Sequence, residues 1–237
     1  MTKPLALVVS LPGTNRDNDV AYALSLAGAE PVRVPLGVLA RRPQRFLDAQ
    51  LVVFAGGFSH ADALGAGALA GLEVATSIGD ELRAFAASGR PVLGICNGFQ
   101  MLVRAGLLPG SLTRNANGNF VCRWVTLSAE GLGRSVWTAG LEDPIDCPVA
   151  HGEGRYIASE DIIRTHSALR YVDDTNPNGS VDATAGVTDA TGMILGLMPH
   201  PENHVLERQH PKWARGEHRY LARSLFDAGV AHVKERG

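Results

Sequence analysis

Residues 91–100 read Pro-Val-Leu-Gly-Ile-Cys-Asn-Gly-Phe-Gln, and this stretch decides the fold. Pro91 to Ile95 is a short apolar run of the buried-strand kind, and from Asn97 to Ala105 the spacing predicts a helix. Only Cys96 separates the two, with Gly94 and Gly98 two residues either side. A chain that turns from strand to helix in one residue crowds its own backbone, so small neighbours are required and the side chain at the turn is presented at the strand's carboxyl end. This is the thiol form of a nucleophile elbow. At a helix N-terminus a thiolate is favoured by the helix dipole, and the N–H of Asn97 is free to stabilise an oxyanion. The competing reading is a buried structural cysteine, since free cysteine is among the most buried residue types.

Working outward, the first half alternates short apolar runs with amphipathic stretches. Strands are expected at Leu5 to Ser10, Val32 to Val34 and Leu51 to Phe54, the last running into Ala55-Gly56-Gly57. Helices are expected from Asp17 to Ala27, with Val20, Leu24 and Ala27 inward, and from Ile78 to Ser88, with Ile78, Leu82 and Phe85 inward. Such alternation predicts an α/β fold with a doubly wound, mostly parallel sheet, whose ligands sit at the carboxyl ends of strands.

Beyond Gly110 the pattern changes to short strands and turns: Phe120 to Ser128, Val149 before a glycine-rich turn, Tyr171 to Asp173, the turn Asn176 to Gly179, and Ala185 to Val187 paired with Gly192 to Met198. An added antiparallel β section within one domain spanning 1–237 is the expectation. The segment 203–237 forms a C-terminal extension ending in a helix, with Tyr220, Leu221, Leu225 and Ala228 on its apolar face.

Composition narrows the function classes. Lys and Arg number 22 against 24 Asp and Glu, a net charge of −2, so no electrostatic footprint for nucleic acid or an anionic membrane exists. No apolar run approaches the roughly 20 residues of a membrane span. The first residues, MTKPLALVVSLPG, lack an A-x-A cleavage site and read as a buried strand, not a leader. Three cysteines, Cys96, Cys122 and Cys147, at wide spacing fit neither a disulfide framework nor a zinc site, and reduced thiols in the cytoplasm are expected.

A nucleophilic thiol needs a base. Met198 to His204 (MPHPENH) offers His200 between two prolines, with Glu202 placed to fix its tautomer. His200 and His204 also have H-x3-H spacing, but the prolines spoil the helical geometry a metal pair needs, so no metal is expected. Gly56-Gly57 ends a strand at the same sheet edge, and a backbone N–H there with that of Asn97 would make a two-donor oxyanion hole.

At these residues the sequence becomes recognisable. G-x-C-x-G-x-Q (Gly94, Cys96, Gly98, Gln100) with a distal H-x-E (His200, Glu202) resembles class I glutamine amidotransferases. The stretches VVFAGGFSHADALGAGA, NFVCRWV, AHGEGRY, NPNGS and GLMPHPE narrow the likeness to the glutaminase subunits of phosphoribosylformylglycinamidine synthase. The resemblance implies the flavodoxin-like fold of that class and a triad of Cys96, His200 and Glu202. It further implies Gly57 and Asn97 as oxyanion donors, with Gln100 and Gly56 near bound glutamine and His151, in the stretch to Tyr156, bordering the glutamine pocket or the subunit interface. It also implies partners: a large ATP-dependent synthetase subunit and a small bridging subunit. No G-x-x-x-x-G-K-[ST] is present here, so ATP and Mg chemistry is expected of the partner, and no cofactor of this chain.

Two departures stand out. Gly65 and Asn203 occupy positions where that family usually carries arginine, and His60 and Ala63 replace its tyrosines. A cysteine protease or α/β-hydrolase is the rival enzyme, although its acid would normally come from a separate strand. A non-enzymatic subunit that keeps the fold is the rival outside catalysis.

Overall fold

The computed structural model describes residues 2–129, 135–141, 144–172, 175–216 and 220–236. Eleven strands are found in them: β1 (Leu5–Ser10), β2 (Glu30–Pro35), β3 (Leu51–Phe54), β4 (Val92–Ile95), β5 (Ser111–Thr113), β6 (Val121–Ser128), β7 (Ile145–His151), β8 (Arg155–Ile157), β9 (Ser167–Tyr171), β10 (Thr184–Thr188) and β11 (Ile194–Leu197). The helices are α1 (Asp17–Leu26), α2 (Leu36–Arg41), α3 (Arg45–Asp48), α4 (Ala68–Ser77), α5 (Gly79–Ala87), α6 (Asn97–Arg104), α7 (Glu160–His166) and α8 (Arg223–Lys234).

Nine strands form one sheet in the order β2-β1-β3-β4-β11-β10-β9-β6-β7, and β5 pairs with β8 separately. From β2 to β11 all neighbours are parallel, and from β11 to β7 all are antiparallel. The parallel half has the flavodoxin-like order 2-1-3-4-5, with β11 in the fifth place. β3, β4 and β11 are buried along their whole length, as expected of strands covered on both faces. The connection from β1 to β2 and the later ones from β3 to β4 and from β4 to β11 cross the sheet in opposite directions, so right-handed crossovers place α1 and α6 on opposite faces. α8 joins the α1 side, touching α1 and β3, while α4 packs on α6.

Both sheet edges are blunted. β2 carries Pro31 and Pro35. Along β7, Asp146 bridges to Leu221 of the C-terminal segment, and its N–H donates to Tyr220 O.

The structure revises several expectations. Ile78 is the joint between α4 and α5, with φ −146°, and not the first residue of one helix. The spacing gave no sign of α4, whose alanine- and glycine-rich sequence has no broad apolar stripe; it forms because Ala70, Gly71 and Val74 fit closely onto α6. β9 ends where a strand from Tyr171 was expected to begin, and Asp173 lies outside the described residues. α2, α3, α5's partner α4, and α7 are all additions to the expected elements. α8 starts at Arg223, so its inward face is Leu225, Phe226, Gly229, Val230 and Val233, while Tyr220 is half-exposed.

Candidate active site

Cys96 is the single residue between β4 and α6. Its φ of +50° and ψ of −104° lie outside the regions an L-residue ordinarily occupies. The turn is held from both sides: Cys96 N–H donates to Leu197 O (2.8 Å), and Gln100 N–H to Cys96 O (3.0 Å). Flanking glycines are obligatory here, because a Cβ at Gly98 would lie 2.2 Å from Phe54 O and one at Gly94 would lie 2.8 Å from Gly98 O.

β4 and β11 are parallel neighbours in register, Ile95 opposite Leu197. A residue just past the end of β11 therefore arrives beside one just past β4, and His200 does so. His200 N–H is fixed to Pro148 O (2.8 Å), and a 3-10 turn from Pro201 to Asn203 brings Glu202 back under the ring. Glu202 Oε1 is 2.7 Å from His200 Nδ1, with both side chains buried. With Nδ1 engaged, Nε2 is the nitrogen left for other chemistry. Burial alone would lower the His200 pKa, but the Glu202 carboxylate and the Cys96 sulfur beside the ring outweigh it and raise it to about 10. The imidazolium form is thus favoured at neutral pH. The Cys96 thiol itself points to Ala150 O (3.7 Å).

Two small cavities meet at the Cys96 sulfur. One, of about 180 Å³, is lined by Asn15, Arg16 and His200; the other, of about 130 Å³, by Asp62, Ala66, Gln100 and residues 151–153. Gly57, Phe58, Phe120 and Ala150 border both. The N–H groups of Gly57 and Asn97 make no hydrogen bond among the described residues. Gly56 touches the base: a Cβ there would sit 2.9 Å from His200 Cε1.

Gln100 lines the smaller cavity, but its carboxamide is engaged: Oε1 accepts from Asn97 Nδ2 (2.9 Å) and Nε2 donates to Glu153 O (2.7 Å). It fixes the turn at 151–154 to the elbow. His151 lies in the same wall, with Asn115 and Asn178 flanking its ring nitrogens. Burial, reinforced by the charge of His200, lowers its pKa to about 4, so it is neutral.

His200 and His204 do not converge. His204 Nδ1 meets Asp146 O, and its ring packs among Trp124 and His210, turned into the C-terminal segment. Among the described residues no group of three His, Cys, Asp or Glu side chains is arranged to hold a metal. Asn203 bonds Asp19 of α1 (3.3 Å). At Gly65 a Cβ would stand 3.6 Å from Arg104 Nη2 and 3.7 Å from Glu153 Oε2.

Sequence reasoning did not single out Phe58, Phe120, Asp62, Asn115 or Asn178 as site residues. Phe120 was expected only as the start of a strand and Asn178 only as part of the turn at Asn176 to Gly179; Phe58, Asp62 and Asn115 lie outside the strands and α-helices, where hydrophobic periodicity gives no signal.

A family model described as the CobB/CobQ-like glutamine amidotransferase domain matches residues 3–233. Phosphoribosylformylglycinamidine synthase subunit PurQ of Treponema denticola is 39% identical, covering 98% of this chain and 99% of that protein. The same subunit from Thermotoga maritima is 42% identical over 86% and 90%. The solved PurLQS structure from Thermotoga maritima superposes with a TM-score of 0.82 at 37% identity, covering 97% of this chain and 99% of the matched chain. No helix among the described residues is long and apolar enough to cross a membrane.

Proposed function

We propose a mechanism from one premise: this chain belongs to the family of glutamine amidotransferases that serve as PurQ subunits of phosphoribosylformylglycinamidine synthase. Its reaction is that of a glutaminase, releasing glutamate and ammonia for an ATP-dependent synthetase in purine biosynthesis. The observation that carries the assignment of roles is the buried His200–Glu202 pair, 2.7 Å apart, beside a strained cysteine at a helix N-terminus.

The Cys96 thiolate attacks the carboxamide carbon of glutamine, and the electron pair of the C=O bond moves onto oxygen. The N–H groups of Gly57 and Asn97 receive that oxyanion; such a donor is typically worth about 3 kcal/mol on the barrier. As the C–N bond breaks, the His200 imidazolium gives its proton to the leaving nitrogen, and ammonia departs. His200, now neutral, takes a proton from water, which attacks the γ-glutamyl thioester. Collapse expels the thiolate and frees glutamate. Glu202 holds the ring in place and supports its charge throughout. Gln100, Gly56 and His151 shape the glutamine pocket.

Ammonia must reach the next site before it is protonated and lost. The partners of this chain are then the large synthetase subunit, which uses ATP and Mg, and a small bridging subunit; the solved relative carries the name PurLQS. The chain acts as one amidotransferase domain, in the cytoplasm, where its thiols stay reduced.

The test is Cys96→Ala in the reconstituted complex, assayed with each nitrogen source. Glutamine-dependent amidine formation is expected to fall by more than about 10³-fold, with ammonium-dependent formation within about twofold of wild type. Retained glutamine-dependent activity would refute the nucleophile.

A further inference from the structure

The smaller cavity at Cys96 carries charge that none of the steps above uses. Its far wall holds two carboxylates, Asp62 and Glu153. Glu153 is anchored, with Oε2 accepting the N–H of Ala66 (3.2 Å). Asp62 is not: its Oδ1 is shielded from solvent yet has no hydrogen-bond partner among the described residues. Burial, with the charge of Glu153 added, raises the Asp62 pKa, the mark of a carboxylate short of a cation. The backbone there is forced as well. His60, Ala61, Asp62 and Leu64 all have φ between 50° and 64°, and runs of such residues persist where a loop is held to a particular shape at a ligand site.

The substrate has the complementary group. Four bonds from the carboxamide carbon that meets Cys96, glutamine carries an α-ammonium with three donors. Resting on the assignment of Cys96 as nucleophile toward glutamine, we infer that Asp62, backed by Glu153, receives this α-ammonium and so restricts the site to a free amino acid. The cation satisfies Oδ1 and relieves the repulsion between the two carboxylates, and charge-assisted hydrogen bonds of this kind are the strong ones. Simple carboxamides and glutaminyl residues within peptides, whose nitrogen is acylated, would leave Asp62 Oδ1 without a partner and the charge of Glu153 beside it uncompensated. Asp62 acts in recognition, and the chemistry stays with the triad.

The experiment compares glutamine with 4-carbamoylbutanoate, the same amide without the amino group, in the reconstituted complex. Asp62→Asn is expected to raise KM for glutamine roughly 10- to 100-fold with kcat changed less than about threefold. For 4-carbamoylbutanoate, kcat/KM should stay within about threefold of wild type. Equal losses on both substrates, or an unchanged KM for glutamine, would overturn the inference. A second measurement needs no variant: a diazoketone analogue of glutamine should modify Cys96 of the wild-type complex roughly 100-fold faster than the same reagent lacking its amino group. Equal rates would overturn it equally. Cys96→Ala assayed alongside separates the two levels. If that variant is inactive while Asp62→Asn binds glutamine normally, only the ammonium contact is lost; if it is active, the assignment of the nucleophile itself fails.

Discussion

The two halves of the sheet meet at β10 and β11 and divide the site between them. The parallel half delivers the groups proposed to react: β4 leads to Cys96, β11 leads to His200 and Glu202, and β3 leads to Gly56 and Gly57. The antiparallel half supplies wall: β7 brings Ala150 and His151, and the turn after it brings Gly152 and Glu153. Parallel strand ends are rigid, buried and adjacent, so they hold three groups in a fixed relation. The antiparallel section shapes what faces them. On the proposed roles the chemistry rests on the parallel half, whereas the pocket wall is shared, with Asp62 and Gln100 from the parallel half facing residues 150–153 from the antiparallel one.

The contrast breaks most severely at the base. His200→Ala should lower glutaminase turnover by about 10³-fold or more, and Glu202→Ala by less, because removing the base deletes proton transfer whereas removing its partner misplaces it. Steady-state glutamate release by the reconstituted complex measures both. A smaller loss for His200→Ala than for Glu202→Ala would assign the proton transfers to another group.

Two of the buried histidines, His200 and His151, sharpen the contrast through pH. His200 is raised to about 10, so its contribution to stability is complete below the ordinary histidine pKa and is lost as pH climbs through about 10. His151 is lowered to about 4, so the unfolded chain binds its proton more readily between about 4 and 6.5, and stability is lost as pH falls through that window. Denaturant melts of wild type and His151→Gln should converge over that window, by at most about 3 kcal/mol. A stability gap that stays constant from pH 6.5 to 4 would contradict a neutral His151.

A finer test uses the thiols. Cys96 belongs to the parallel half, Cys122 and Cys147 to the other. A diazoketone analogue of glutamine should label Cys96 alone, since Cys122 is exposed but outside the pocket and burial holds the Cys147 thiol well above its ordinary pKa. Peptide mapping that finds label on Cys122 or Cys147, with Cys96 unmodified, would reverse the assignment.

Legibility in the sequence follows the same division. β1, β3, β4 and β11 are covered on both faces and read as continuous apolar runs, so their periodicity is plain. β7, with Asp146, Cys147 and Pro148 in its middle, reads like a loop; it becomes a strand because β6 pairs along its whole length. Cys96, His200 and Glu202 were legible because each follows a recognisable strand and local spacing binds the pair. Asp62, Asn115, Phe120 and Asn178 come from three separate connections, Asn115 and Phe120 sharing the one between β5 and β6, and only the tertiary fold places them together. The burial of His151 was equally hidden, since nothing within Ala150 to Tyr156 indicates that Asn115 and Asn178 enclose the ring.

The bridge between Asp146 and Leu221 has a consequence for the chain's solitude. An outermost strand offers an open row of donors and acceptors to any other extended segment. On this side of the sheet the chain's own tail occupies part of that row, so the C-terminal segment works as a guard against self-recruitment. Cutting the chain ahead of Tyr220 would leave β7 as a template for a second copy, and the first symptom expected is a shift to higher oligomers on gel filtration.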